Sequence, residues 1–121
     1  SPYEQARSRL DGMQRQPTPD AGSAEAVEAF FVELSDIVRR YLEGQFSLHA
    51  PELTTEEFLD VAATSPDLTA ANRGFLRDFL READRVKFAQ HLPDANHLPA
   101  ALAAVGQFLD DTERTPTQAA R

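Results

Sequence analysis

The chain has 121 residues, no cysteine, and 20 acidic against 12 basic residues, which gives a formal net charge of −8 at pH 7. The lack of cysteine excludes disulfides, thiolate metal ligands and a cysteine nucleophile. The acidic balance argues against nucleic acid and anionic lipid as binding partners, because affinity for both depends largely on basic side chains.

The first part of the chain predicts two helices, because its apolar residues recur at steps of three and four. Residues 3–13 form a short first helix with one apolar stripe, weakened near its end by Gly12. Residues 16–22 predict a loop, since two prolines and a glycine oppose helix continuation. Ser23 is the expected N-cap of the second helix, whose apolar stripe is wide enough to face two neighbours and whose end is expected at Gly44.

The third and fourth helices are predicted from their start signals. Thr54 and Glu57 have the spacing of a capping box, in which a hydroxyl and a carboxylate each accept a hydrogen bond from the other's backbone amide. The helix that they start is expected to stop before the turn at 65–67. Thr69 then caps a fourth helix, whose apolar face is predicted to extend to Phe88.

A fifth helix is expected to begin near Asp94 or Asn96, and residues 113–121 are predicted to be a disordered tail. We find no strand pattern, and no apolar run approaches the roughly 20 residues needed to cross a bilayer. Residues 1–112 are therefore predicted to form a single helical domain. Its expected fold is an all-α, compact bundle of about five helices, in which sequential helices are mostly antiparallel neighbours and the second and fourth form the central pair.

No pattern of catalytic or ligand-binding residues emerges. None of the histidines, His49, His91 and His97, lies one helical turn from another, although His91, Asp94 and His97 could converge as a weak metal site; a loop surface is the favoured interpretation. The paired carboxylates fit solvated helix faces, no serine lies in a glycine-flanked elbow, and no glycine-rich phosphate loop is present. We therefore expect no catalytic residue, no metal ligand, no cofactor and no enzymatic activity.

One group of charged residues is a candidate for structural ion pairs and caps. The partner of Arg40 is either Asp36, one turn earlier, or an acid on a neighbouring helix, and the interhelical pair is favoured. Lys87 pairs either with Asp84 near the helix end or with an acid from the second or third helix. The full set is Arg40, Thr54, Glu57, Asp84 and Lys87. If Arg40, Glu57, Asp84 and Lys87 meet in one buried network they serve folding, whereas if they face water together they mark a docking site.

A second group consists of basic residues on an otherwise acidic chain, which we interpret as a candidate partner surface. These residues are Arg39, Arg73, Arg77, Arg81 and Arg85.

Three segments, LSDIVRRYLEGQF at 34–46, APELTTEEFL at 50–59 and DRVKFA at 84–89, together resemble the cytosolic helical domain of BatD-like bacterial membrane proteins. Such proteins are associated with MoxR-type AAA+ ATPases and von Willebrand A-domain proteins. The resemblance spans residues 3–112, and it implies no catalytic residue. A related theme occurs in some membrane-bound transglutaminase-like proteins, but Thr55 stands where that family has proline. The chain departs from the BatD-like pattern at Gly44-Gln45 and at Ser47.

The resemblance implies a segment of a longer membrane-anchored protein, located at the cytoplasmic face of the bacterial inner membrane and not itself inserted in the bilayer. The expected function is a non-catalytic protein-interaction domain that works with the ATPase or the A-domain protein. One alternative is a purely structural, self-associating helical spacer, and another is a hydrolase or metal-binding protein. The oligomeric state stays open.

Overall fold

The computed structural model describes residues 1–48, 53–89 and 91–113. Its five helices are α1 (Pro2–Arg15), α2 (Ala24–Phe46), α3 (Thr55–Ala63), α4 (Ala70–Ala89) and α5 (His97–Thr112). All regular secondary structure within these ranges is helical, which confirms the predicted all-α bundle. Of the predicted tail at 113–121, Glu113 is a turn residue that follows α5, and residues 114–121 lie outside the described residues. No helix in the described ranges combines the length and apolar character needed to span a membrane.

Side-chain caps fix the starts of four helices. Ser23, Thr54 and Thr69 each accept a hydrogen bond from a backbone N–H of the first turn, so the three predicted caps are confirmed. The sequence prediction missed a further cap at the start of α1, where Ser1 and Glu4 form a complete capping box. Each cap satisfies a backbone donor that the helix itself leaves without an acceptor.

α2 packs against both α1 and α4, as its wide apolar stripe predicts, while α3 packs on α4 and α5 packs on α1. The second and fourth helices thus form the central pair, whereas α5 packs mainly on the first helix and also meets α4, where the Phe75 and Phe108 rings stack at a centroid distance of 5.1 Å. The core is built from buried apolar side chains of all five helices, and its largest fully buried side chains include Tyr41, Phe31, Phe58, Leu10, Leu34 and Ile37.

Two glycines allow α1 to lie close to its neighbours. Gly44 lies inside α2, which continues beyond the predicted end to Phe46. A Cβ atom at Gly44 would lie 2.9 Å from Cγ of Pro2, so the lack of a side chain allows the start of α1 to pack there. A Cβ atom at Gly106 would lie 2.9 Å from Nη1 of Arg7, which instead donates a 3.3 Å hydrogen bond to the Gly106 carbonyl oxygen. Close backbone approach therefore decides how α1 packs on α2 and α5.

Ser47 ends α2 in a left-handed conformation with φ 57° and ψ 36°, and among the described residues no other non-glycine has a positive φ. This conformation crowds the Cβ atom of any L-residue, and glycine avoids the crowding. We expect Ser47→Gly to raise the free energy of unfolding by about 1 kcal/mol, as measured by urea denaturation.

The matched control for this prediction is Ser8→Gly, because Ser8 is an exposed residue inside α1. Glycine in a helix interior lowers stability by roughly 0.5–1 kcal/mol. The two serine-to-glycine changes should therefore shift the denaturation midpoint in opposite directions, and a shared direction would contradict the strain assigned to Ser47.

Candidate interaction surface

The residues predicted either to form one buried network or to mark a docking site do not meet in a buried network. They are Arg40, Glu57, Asp84 and Lys87. Glu57 stays with Thr54 at the start of α3, where the Glu57 carboxylate accepts the Thr54 backbone N–H at 2.9 Å and the Thr54 hydroxyl accepts the Glu57 N–H at 3.2 Å. The backbone hydrogen bond from Thr54 lowers the pKa of Glu57. The predicted capping box is confirmed, and it serves the local helix start.

Lys87 lies near the end of α4 with its Nζ 3.8 Å from a carboxylate oxygen of Asp84 on the same helix. Of the two predicted arrangements of Lys87, this one is the pair with Asp84 near the end of the helix. Among the described residues, no acid of α2 or α3 lies within ion-pair distance of Lys87. The Nζ atom also lies 5.5 Å from the centroid of the Phe88 ring, so the lysine is placed between a carboxylate and an aromatic face.

Arg40 pairs within its own helix, so the favoured interhelical prediction was wrong. Its Nε donates a 2.9 Å hydrogen bond to Oδ2 of Asp36, and 71% of the arginine side chain remains exposed. The bridge between helices is made instead by Arg9 of α1, whose Nη1 donates to the same Asp36 oxygen at 2.9 Å. Sequence reasoning did not single out Arg9, because nothing local shows which residues of α1 face the polar side of α2.

Asp36 thus holds two arginines with one carboxylate. Its partial burial alone would raise the pKa, but the hydrogen bonds from Arg9 and Arg40 lower the pKa of Asp36 below the ordinary value. The carboxylate therefore stays charged throughout the neutral and mildly acidic range.

We expect carbon-13 NMR to show Asp36 titrating below the usual aspartate value of roughly 4. Arg9→Gln and Arg40→Gln should each raise that pKa, because each removes a hydrogen bond to the charged form. Since the folded pKa is depressed, the stabilisation is present above the unfolded value and is lost as the pH falls through the folded value. An Asp36 pKa unchanged in both variants would contradict the arrangement.

A shallow groove of about 530 Å³ runs along α2 and is reached by α1 and α4. We call it the α2 groove; its lining residues are Arg9, Ala29, Val32, Glu33, Ser35, Asp36, Arg39, Arg40, Glu43 and Lys87. Arg40 and Lys87 belong to sequence segments far apart in the chain, and both line this groove. Glu57 and Asp84 are not among the lining residues, so the predicted set of four is only partly brought together.

Apolar side chains accompany these charges. Val32, in the lining of the groove, is 45% exposed, and Phe88, next to Lys87, is 80% exposed. The sequence prediction placed Phe88 on the buried face of α4, and the structure corrects this. Val86 is buried two residues earlier, and a step of two residues turns a helix by about 200°, which directs Phe88 away from the core.

The five arginines predicted as a partner surface do not form one surface. Arg39 lines the α2 groove and also anchors the start of α3, since its Nη2 donates to the Leu53 carbonyl oxygen at 2.6 Å and its guanidinium lies 4.8 Å from the centre of the Phe58 ring. Three others, Arg73, Arg77 and Arg81, line a separate groove of about 180 Å³ between α3 and α4. Arg85 is exposed on α4.

The arginines of the α3–α4 groove are largely engaged within the chain. Arg81 makes two 2.9 Å hydrogen bonds to the Glu56 carboxylate, and Arg73 donates to the Ser65 carbonyl oxygen at 3.2 Å. The hydrogen bond to Glu56 raises the pKa of Arg81. These contacts tie α4 to α3 and to the turn that follows α3.

The histidines do not assemble a metal site in the part of the chain that the structure describes. Nε2 of His97 lies 2.6 Å from Oε1 of Glu82, which joins the start of α5 to α4, while His91 is exposed in the connection between them. Within the described ranges, no three His, Asp or Glu side chains are arranged to hold a metal ion. His49 lies outside the described residues.

Comparison of the chain with models of known protein families, with curated proteins and with solved structures gives no match. The class of protein is therefore defined by the structure itself: an all-α bundle with an exposed groove of mixed charge along its longest helix.

Proposed function

We propose that the chain is a non-catalytic protein-interaction domain, carried by a membrane-anchored protein at the cytoplasmic face of the bacterial inner membrane. Its contact surface is the α2 groove. The observation that supports this proposal is the convergence of Arg40 and Lys87, which belong to distant sequence segments yet line one groove with the half-exposed Val32.

The ion pairs that Asp36 makes with Arg9 and Arg40 are expected to add little to the stability of the fold. Exposed ion pairs typically stabilise a protein by only about 0–1 kcal/mol, and both ion pairs of Asp36, with Arg9 and with Arg40, are at least partly solvated. Four of the 12 basic residues line this groove on a chain of net charge −8, and of these Arg39 also anchors the start of α3. A surface with such a concentration of cations, together with exposed apolar area, is better suited to recognising another protein.

The partner that we propose is a MoxR-type AAA+ ATPase or a von Willebrand A-domain protein. This choice rests on the resemblance of segments 34–46, 50–59 and 84–89 to BatD-like proteins. The groove is compatible with a partner of mixed charge, because Glu33, Asp36 and Glu43 line it beside its four basic side chains.

The experiment measures the affinity of the chain for the purified ATPase and the purified A-domain protein of the same bacterium, by calorimetry at fixed salt. Reversing two groove charges, Arg40→Glu with Lys87→Glu, should weaken the binding at least tenfold. The control reverses two charges elsewhere, Arg15→Glu with Arg77→Glu, which gives the same net charge and should leave the affinity within about threefold. Equal losses in both variants, or no binding by the unmodified chain, would contradict the proposal.

The alternative is a helical spacer that self-associates, and the exposure of Phe88 is the observation that favours it. Light scattering over a range of protein concentration separates the two functions. A spacer of this kind gives a stable dimer without any partner, whereas the proposed interaction domain stays monomeric until its partner is added.

A further inference from the structure

The most exposed large apolar side chain in the described part of the protein is Phe88, with 80% of its surface open to solvent. It is held in the last turn of α4, where the helix register directs it outward from the buried Val86. The ring is therefore presented by a packed helix rather than by a mobile loop. Rigid presentation favours binding, because little conformational entropy is lost when the ring is buried against a partner.

Phe88 is linked to the α2 groove by its neighbour Lys87. Lys87 lines the groove, and its Nζ lies 5.5 Å from the centroid of the Phe88 ring. Val32 adds a half-exposed apolar side chain to the groove lining. An exposed aromatic ring next to a groove lined by basic side chains has the composition of an interface centre, where aromatic side chains and arginine are enriched.

We propose that Phe88 is the anchor of the contact made by the α2 groove, and that its ring enters an apolar pocket of a partner protein whose rim carries carboxylates. The carboxylates would face Lys87, which adjoins the Phe88 ring, and Arg40, whose side chain is 71% exposed. This inference rests on the proposed function and adds the chemistry of the partner's site to it.

A protein pocket suits this surface better than a membrane or a second copy of the chain. Glu33, Asp36 and Glu43 lie in the groove, and the whole chain carries a charge of −8, so an anionic lipid surface would be repelled. Two copies of the chain would also repel each other by that charge. A pocket on another protein can place carboxylates opposite the lysine and arginine while avoiding the acids.

The test uses the ATPase and the A-domain protein described above and takes whichever binds the unmodified chain more tightly. Phe88→Ala should weaken the binding about ten- to a hundredfold, the effect of leaving one large apolar side chain unburied. Phe88→Trp should retain most of the affinity, since the ring remains apolar and large. The melting temperature of both variants should match that of the unmodified chain, because the side chain contributes little to the core.

The outcomes distinguish this inference from the function on which it rests. If Phe88→Ala binds within twofold of the unmodified chain while the Arg40→Glu, Lys87→Glu variant does not bind, the anchor is wrong and the proposed function stands. If the unmodified chain binds neither protein, both fail. Phe88-dependent binding to vesicles of phosphatidylglycerol and phosphatidylethanolamine, or a dimer that Phe88→Ala abolishes, would overturn the inference in favour of a membrane or a second copy.

Discussion

Phe31→Ala is expected to lower the free energy of unfolding by about 3–5 kcal/mol, the usual cost of truncating a buried aromatic side chain. Phe31 lies in the middle of the central helix α2 and has no exposed surface, and its ring packs edge-to-face on Phe30 at a centroid distance of 5.3 Å. Its removal loses both the apolar transfer energy and the contacts of the surrounding side chains. Because the free energy of unfolding of a typical domain is only roughly 5–15 kcal/mol, we expect the Phe31→Ala variant to be marginally stable or unfolded.

The control is the next residue along the chain. Val32→Ala removes an apolar side chain that is 45% exposed and faces the α2 groove, so we expect a loss below about 1 kcal/mol. Thermal unfolding followed by circular dichroism should show Phe31→Ala melting roughly 10–20 °C lower than the unmodified chain, with Val32→Ala close to it. Similar losses in both variants would mean that the register of α2 differs from the one described.

The helices themselves could be predicted because their signals are local. Ser23, Thr54 and Thr69 cap helices where their spacing from the following residues requires it, and the apolar stripe of α2 is wide because two helices cover it. The exposure of Phe88 could also have been predicted from local spacing, but the residue was wrongly assigned to the apolar face of α4. Residues two apart on a helix, such as Val86 and Phe88, do not lie on the same face. The mistake came from counting apolar residues without their angular position.

The partners of the charged residues could not be predicted, because they depend on which helices meet. The sequence shows that Asp36 and Arg40 are one helical turn apart, but it does not show that a second arginine binds Asp36. Only the packing of α1 on α2 brings Arg9 to the same carboxylate oxygen. The convergence of Arg40 and Lys87 on one groove likewise follows from the packing of α2 on α4. The candidate surface is thus a tertiary property, whereas its residues are visible in the sequence.

The closure of the bundle by α5 also depends on contacts between distant residues. Tyr3 of α1 donates a 2.7 Å hydrogen bond to Asp110, and Gly106 admits Arg7 of α1 to its carbonyl oxygen. The hydrogen bond to Asp110 is the main cause that raises the pKa of Tyr3 to about 12. No sequence spacing links these residues, so the sequence could predict an apolar face on α5 but not that α1 would cover it.

A buried polar pair joins α2 to the end of α5, and its hydrogen atoms can be assigned. Thr112 donates its only hydroxyl hydrogen to the Phe108 carbonyl oxygen at 2.8 Å, so Tyr41 must be the donor in the 2.7 Å hydrogen bond between the two hydroxyls. Both side chains are almost fully buried, and burial raises the pKa of Tyr41 to about 12, which keeps its hydroxyl protonated as a donor.

This assignment predicts unequal effects for two single substitutions. Thr112→Val removes the acceptor and leaves the Tyr41 hydroxyl buried without a partner, at a cost of about 1–3 kcal/mol. Tyr41→Phe leaves Thr112 with its bond to Phe108, so the loss should be only about 0.5–1.5 kcal/mol. The double variant should lose less than the sum of the two, because it contains no stranded hydroxyl. Urea denaturation of all four proteins measures the cycle, and a larger loss for Tyr41→Phe than for Thr112→Val would reverse the donor assignment.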